Sequence, residues 1–225
     1  MVSKEEFFLQ MNNKNITYRR SLLMLAVTAL FSVLATVVDR QAIGPEDTVV
    51  GFASINGAFA RSFGYNAVMD KVSDIMMYIA FLVVISFVVI GVKKLVEKKS
   101  IQAVGKTLLG LGILYFIVAV IYVAFKKIPI NYRPIIPPGE TEIETSFPST
   151  HTLIIGSVMG SAVIAWNRLF SNKKLVRCLT ILAVLVMVIG ICARMLAGVH
   201  WLSDIAAGIL FSATLIAFYS AWIAD

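Results

Sequence analysis

Three short polar segments of this chain together contain several cationic residues and both histidines. The first is KKIPINYRP, in which six residues separate Lys126 from Arg133. The second is FPSTH, residues 147–151, and the third is ARMLAGVHWLSD, residues 193–204. The two histidines of the chain both lie in these segments. Cationic donors beside imidazoles are the groups that phosphoryl transfer uses, so this is the chemistry to test against the rest of the sequence.

The cationic side chains of these segments are suited to hold a phosphate group. Lys126, Arg133 and Arg194 supply three positive charges, and a guanidinium donates to two phosphate oxygens at once. Ser149 adds a hydroxyl donor. The free backbone N–H groups from Thr150 onward, where an apolar run begins, add the positive end of a helix. We therefore predict these five residues to bind phosphate.

His200 and Asp204 are four residues apart, so in a helix that begins near Trp201 they lie one turn apart on one face. A carboxylate that holds one imidazole nitrogen fixes the tautomer and leaves the other nitrogen free to attack. This spacing predicts His200 as a nucleophile on phosphorus and Asp204 as the residue that orients it. His151, on a different helix, is then free to protonate the leaving oxygen.

Membrane helices must position these segments, because the chain is too apolar for a water-soluble protein. Of its 225 residues, 59% are hydrophobic and 15% charged, with a mean hydropathy of +0.85, whereas soluble domains have about 45–50% and about 25%. Six apolar runs are each long enough to cross about 30 Å of hydrocarbon. The sequence predicts an all-α integral membrane bundle of six transmembrane helices, over residues 21–38, 72–92, 103–125, 152–170, 175–193 and 201–223.

The distribution of Lys and Arg predicts the orientation of this bundle. With both termini in the cytoplasm, 13 of the 20 basic residues lie on the cytoplasmic side, as short loops beside membrane helices prefer. The three polar segments then share the outer face of the cell membrane. The net charge of +7 comes from short clusters beside the membrane, which favours contact with anionic membrane lipids over nucleic acid.

We expect a single domain over residues 1–225. Residues 1–20 are predicted to be cytoplasmic, and residues 39–71 to be an outer segment whose apolar spacing fits an interfacial helix or plain packing on the bundle. Residues 126–151 are predicted to be an outer active-site loop, since they hold five of the six prolines. Glu140, Glu142 and Glu144 in this loop are expected to be solvated or to tune access, and Asp74 to start a helix.

The three segments resemble the signature of the type 2 phosphatidic acid phosphatase superfamily, whose pattern is Lys-x6-Arg-Pro, Pro-Ser-Gly-His and Ser-Arg-x5-His-x3-Asp. Order and internal spacing are intact here. The resemblance implies a six-helix membrane phosphatase that needs no metal or other cofactor, forms a phospho-histidine, and uses the residues in the roles assigned above. Two positions depart from the pattern, with Thr150 in place of Gly and Ala193 in place of Ser. The first adds a branched side chain beside the site, and the second removes a hydroxyl that could bond phosphate.

The expected substrate is a lipid phosphate whose headgroup lies at the outer leaflet. The resemblance offers undecaprenyl pyrophosphate, phosphatidylglycerol phosphate and phosphatidic acid, of which we favour the first, because recycling of a carrier lipid for the cell wall needs this side of the membrane. The sequence does not fix an oligomeric state.

Two other interpretations remain open at this point. In one, His151, His200 and Asp204 are ligands of a hydrolytic metal ion, although the nearby cations would repel it. In the other, the cationic pocket belongs to a binder or transporter of anionic lipids that has no enzymatic activity.

Overall fold

The structure, a computed structural model, describes residues 4–224, with side chains from residue 16 onward. Much of the predicted cytoplasmic segment 1–20 lies outside the described side chains. The described chain folds into seven α-helices, namely α1 Lys4–Val37, α2 Ala53–Ser62, α3 Ala67–Lys98, α4 Lys106–Lys127, α5 Thr150–Leu169, α6 Lys173–Leu196 and α7 Leu202–Ile223. Short 3-10 turns at Pro45–Asp47 and Ile101–Val104 and a two-stranded hairpin, β1 Gln41–Ala42 with β2 Val49–Val50, complete it.

The prediction of six membrane helices is confirmed. Apart from the short α2, each helix is long and apolar enough to cross a bilayer, and the span within α1 runs from Ile16 to Val37. In hydrocarbon a helix of this length satisfies its backbone N–H and C=O groups internally. The predicted all-α fold class is confirmed.

The helix α3 begins earlier than its apolar run, which corrects one expectation. Asn66 caps it, because its side-chain oxygen accepts from the backbone N–H groups of Val68 and Met69, each at 3.1 Å. The predicted outer segment 39–71 therefore overlaps the first turn of α3. Asp74 was expected to start a helix, but it lies about two turns inside α3.

The helix α5 is the centre of the bundle, since it packs against α3, α4, α6 and α7, while α1 packs on α7. It is the least apolar of the six spans and the most deeply buried. The two properties agree, because a helix surrounded by other helices tolerates buried Ser157 and Ser161 that a lipid-facing helix would not. Since α4 and α6 end where α5 and α7 begin, the predicted site residues collect at one end of the bundle.

The segment between α1 and α3 anchors the start of α7. The helix α2 lies in it, and the side chain of its buried Asn56 donates to Ser203 Oγ at 2.8 Å and accepts from the Ser203 backbone N–H at 3.1 Å. These bonds fix the first turn of α7, which carries Asp204. A location of α2 in the membrane interface stays a prediction.

The loop from residue 128 to residue 149 folds back on itself over the start of α5. Backbone N–H groups of Arg133 and Ser146 donate to the carbonyls of Glu144 and Asn131, both at 2.9 Å. The Trp201 indole N–H donates to the Tyr132 carbonyl at 2.6 Å and ties this hairpin to α7. Arg133 is thereby held above the ends of α5 and α6.

Candidate active site

His200 lies in the turn between α6 and α7 and is 5% exposed, and Asp204 is fully buried one turn into α7. His200 Nδ1 is 3.6 Å from Asp204 Oδ2, which is longer than a hydrogen bond. The carboxylate is itself held, because Asn131 Nδ2 donates to Oδ1 and the Trp201 backbone N–H to Oδ2, both at 3.0 Å. The Asp204 carboxyl group is therefore fixed in position, facing Nδ1.

Arg194 reveals the tautomer of His200. Its Nη2 lies 3.2 Å from His200 Nε2, and because a guanidinium only donates, Nε2 must be the acceptor. The proton of the neutral ring then sits on Nδ1, toward Asp204. Burial, with the charges of Arg194 and Arg133, holds the pKa of His200 well below its usual value of 6.5. The ring is neutral at neutral pH, with an unprotonated Nε2.

His151 lies in the first turn of α5, and its partner comes from α3. His151 Nε2 is 2.7 Å from Asp74 Oδ1, with the histidine side chain 15% and the aspartate side chain 41% exposed. The two histidines of the chain therefore each face a carboxylate, and each carboxylate comes from a different helix. Nothing in the sequence connected Asp74 with His151.

The two arginines of the predicted site are also paired with carboxylates. Arg133 Nη2 lies 2.5 Å from Glu144 Oε2, and Arg194 Nη1 donates to Asp70 on α3. Glu144 is thus not merely solvated, although its side chain is 49% exposed. An arriving phosphate would compete with these carboxylates for the same guanidinium donors.

One cavity of about 830 Å³ unites six of the eight predicted site residues. They are Lys126, Arg133, Thr150, His151, Arg194 and His200. The other two lie behind its wall, where Asp204 is buried and the Ser149 hydroxyl accepts from Thr152 Oγ1 at 3.1 Å. The geometry therefore brings the set together, with Ser149 turned toward its own helix.

Apart from Glu142, Glu144 and Thr145 of the loop, the remaining wall of this cavity is largely apolar and extends down the helices. It is lined by Met77, Phe81 and Val84 from α3, by residues of α4 from Tyr115 to Phe125, and by Leu153, Ile154 and Val158 from α5. A polar end and a long apolar wall in one cavity match an amphiphile with an anionic headgroup.

Three buried donor groups remain without an acceptor among the cavity-lining side chains that the structure describes. They are Nε of Arg133, Nε of Arg194 and Nδ1 of His200. A buried N–H without a partner is costly, so an acceptor with several oxygens suits this place. Within residues 16–224 no three His, Cys, Asp or Glu side chains are grouped as a metal ion would need, so this geometry does not support the metal-ligand alternative.

Sequence reasoning missed Asn131, Asp70 and the role of Asp74. Asn131 sits inside the first polar segment but carries no charge, and only its buried contact with Asp204 reveals it. Asp70 and Asp74 are four residues apart near the start of an apolar span. Intramembrane carboxylates are functional candidates by default, which was the signal available.

Comparison with known proteins gives two matches. A family model described as the PAP2 superfamily, the type 2 phosphatidic acid phosphatases, matches residues 103–225 and so includes all three polar segments. The fold is similar to that of a structure described as the first transmembrane PAP2 type phosphatidylglycerolphosphate phosphatase from Bacillus subtilis, with a TM-score of 0.57 and 19% sequence identity over 89% of this chain and 93% of the other. No curated protein sequence matches this chain.

Proposed function

We infer the function of this chain from one premise: it belongs to the PAP2 superfamily. Its six apolar helices make it a multi-pass membrane protein, and its family is that of membrane lipid phosphatases. The observation that carries the finer proposal is the neutral His200. Its unprotonated Nε2 accepts from Arg194 at the edge of a cavity that is cationic at one end and has an apolar wall along the helices.

We propose that His200 is the nucleophile. Its Nε2 lone pair forms a bond to the terminal phosphorus while the bond from that phosphorus to the leaving oxygen breaks, and His151 gives a proton to that oxygen. The leaving oxygen is the bridging oxygen of a pyrophosphate or the ester oxygen of a monoester. Asp204 supports the positive charge that develops on the imidazole. In the second step the oxygen of a water molecule attacks phosphorus, and His151 takes a proton from that water. The P–N bond then breaks, the electron pair returns to His200, and inorganic phosphate leaves.

The same proposal gives the cationic residues the role of binding phosphate. Lys126, Arg133 and Arg194 neutralise charge that spreads over the phosphate oxygens in the transition state. The backbone N–H groups at Thr150 and the Ser149 hydroxyl complete the set after a rotation of the serine side chain. The two orphaned guanidinium Nε donors support this assignment.

The substrate that we favour is undecaprenyl pyrophosphate at the outer leaflet, hydrolysed to undecaprenyl phosphate. The apolar wall of the cavity supports a long-chain lipid but does not distinguish a pyrophosphate from a monoester. Phosphatidylglycerol phosphate and phosphatidic acid are the alternatives, and the similar structure from Bacillus subtilis is described as a phosphatase of the first of these two. In this proposal the chain is one membrane domain with cytoplasmic termini, and the loop 126–151 carries part of the site.

The test is phosphate release by the purified protein in detergent with excess chelator, over these three lipids. We expect turnover by the wild type and none by His200→Ala, and the relative rates rank the substrates. Loss of wild-type activity on chelation, restored by added metal, would overturn the metal-free mechanism. Lipid binding without turnover of any of the three lipids would contradict the phosphatase proposal and favour a binder or transporter.

A further inference from the structure

Two carboxylates on α3 reach the candidate site from outside the three polar segments. Asp70 and Asp74 lie one turn apart and precede residue 103, where the family match begins. Asp70 accepts from Arg194, and Asp74 Oδ1 lies 2.7 Å from His151 Nε2. The helix α3 thus contacts two of the residues to which the proposed mechanism gives a role.

The face of α3 that carries these carboxylates continues into the lipid cavity. Met77, Phe81 and Val84 follow Asp70 and Asp74 at intervals of three and four residues, which is one stripe of a helix. These three apolar side chains line the cavity. Asp74 does not itself line the cavity, but it contacts His151, which does, and it lies about one turn before the apolar stripe.

The contact with Asp74 determines which nitrogen of His151 is free. An ionised carboxylate only accepts, so His151 Nε2 carries a hydrogen that it donates to Asp74. The ring is then left with Nδ1 for proton exchange. A neutral His151 offers the Nδ1 lone pair as a base, and a protonated His151 offers Nδ1–H as an acid.

We propose that Asp74 is a positioning residue that acts through His151, as Asp204 acts through His200. The inference rests on the proposed function. When phosphorus moves to His200 Nε2, the protonated form of His151 passes its Nδ1 proton to the oxygen of the leaving group. Nε2 keeps its proton, in its bond to Asp74. In the second step Nδ1 recovers a proton from the attacking water, and Asp74 stabilises the imidazolium that results.

A purely structural ion pair is the other explanation of this contact. The Asp74 side chain is 41% exposed, and an exposed pair contributes little to stability. Asp74→Asn is therefore expected to fold, and a readout that depends on the leaving group separates the two explanations.

The experiment compares two substrates in the same protein preparation. Dodecyl phosphate has a poor alkoxide leaving group that needs a proton. The leaving group of p-nitrophenyl phosphate is a stable phenolate that needs none. For Asp74→Asn we expect kcat/KM on dodecyl phosphate to fall by about tenfold or more, within the range of general acid catalysis. The kcat/KM of Asp74→Asn on p-nitrophenyl phosphate should change by less than about twofold.

Control variants make the result specific. Asp74→Glu keeps the carboxylate and should recover part of the loss. Glu97→Gln removes an exposed carboxylate from the other end of α3 and should change neither rate. In a His151→Gln background Asp74→Asn should cause no further loss, because the two residues act as one unit.

An equal fall on both substrates, or no fall on either, would overturn the inference. Failure of the proposed function would give different results. If the proposed function were wrong, the wild type would hydrolyse neither substrate, or His200→Ala would retain the activity.

Discussion

The two histidines use different ring nitrogens to face their carboxylates. His200 turns Nδ1 toward Asp204 at 3.6 Å, while His151 turns Nε2 toward Asp74 at 2.7 Å. His200 therefore keeps Nε2 unprotonated, and His151 keeps Nδ1 away from its carboxylate. In the proposed mechanism the first nitrogen attacks phosphorus and the second exchanges protons.

The protonation state of His200 is directly measurable, because the chain has only two histidines. Burial and two neighbouring cations lower the pKa of His200, so its ring should stay neutral when the pH falls through 6.5 and protonate only well below that value. Nitrogen NMR of isotope-labelled histidine in detergent should show the Nδ1–H tautomer throughout this range. His151→Gln assigns the two signals. A His200 signal that titrates near 6.5, or that shows Nε2–H, would contradict the geometry.

Some contacts of the site residues could be predicted from the sequence, and others could not. His200 and Asp204 were predictable, since both lie in one short segment and a helix fixes their relation. Asp74 and His151 are separated by 77 positions, and they meet only because α3 packs beside α5. Glu144 reaches Arg133 only because the loop folds back. No local pattern encodes such contacts.

At the level of elements, the approach of α5 to α7 positions the site. Gly208 on α7 permits this approach, because a Cβ there would lie 2.8 Å from Thr152 Cβ and 3.0 Å from the Ser149 carbonyl oxygen. Ser149 and Thr152 flank His151 at the start of α5. The spans could be predicted from hydropathy, but which helix pairs touch depends on small residues whose partners the sequence does not name.

Substitution of this glycine should separate the two helices. We expect Gly208→Ala to destabilise the protein by about 1–3 kcal/mol, as overpacking does, and to lower turnover because the start of α5 moves. Gly112→Ala on α4 is the matched control, since its Cβ would meet nothing within 4 Å. Thermal unfolding in detergent and phosphate release measure both effects. Equal behaviour of the two variants would argue against a tight crossing of α5 and α7.

At the scale of the whole molecule, one cavity joins the cationic end of the bundle to an apolar wall formed by α3, α4 and α5. In the proposed function the phosphate binds at the bundle end and its lipid chain lies along the helices. Composition predicted a membrane protein and the motifs predicted a phosphate site. Which helices form the apolar wall could be seen only in the packed structure.

Blocking this wall should discriminate substrates by chain length. Ala119 on α4 lines the cavity, so Ala119→Trp should lower kcat/KM for a long-chain lipid phosphate by about tenfold or more. Hydrolysis of p-nitrophenyl phosphate should be nearly unchanged. Val120→Trp, at the neighbouring position that is 49% exposed and outside the cavity lining, serves as the control. Equal inhibition of both substrates by Ala119→Trp would place the lipid chain elsewhere.

The central claim is that phosphorus passes through His200, and trapping the intermediate tests it most directly. Protein mixed with a phosphate-labelled lipid and quenched in alkali, which preserves a phospho-histidine, should carry label on the peptide that contains His200. His200→Ala should carry none, and His151→Gln should retain the label if substrate is supplied with a good leaving group. Label on another residue, or turnover by His200→Ala, would contradict the account.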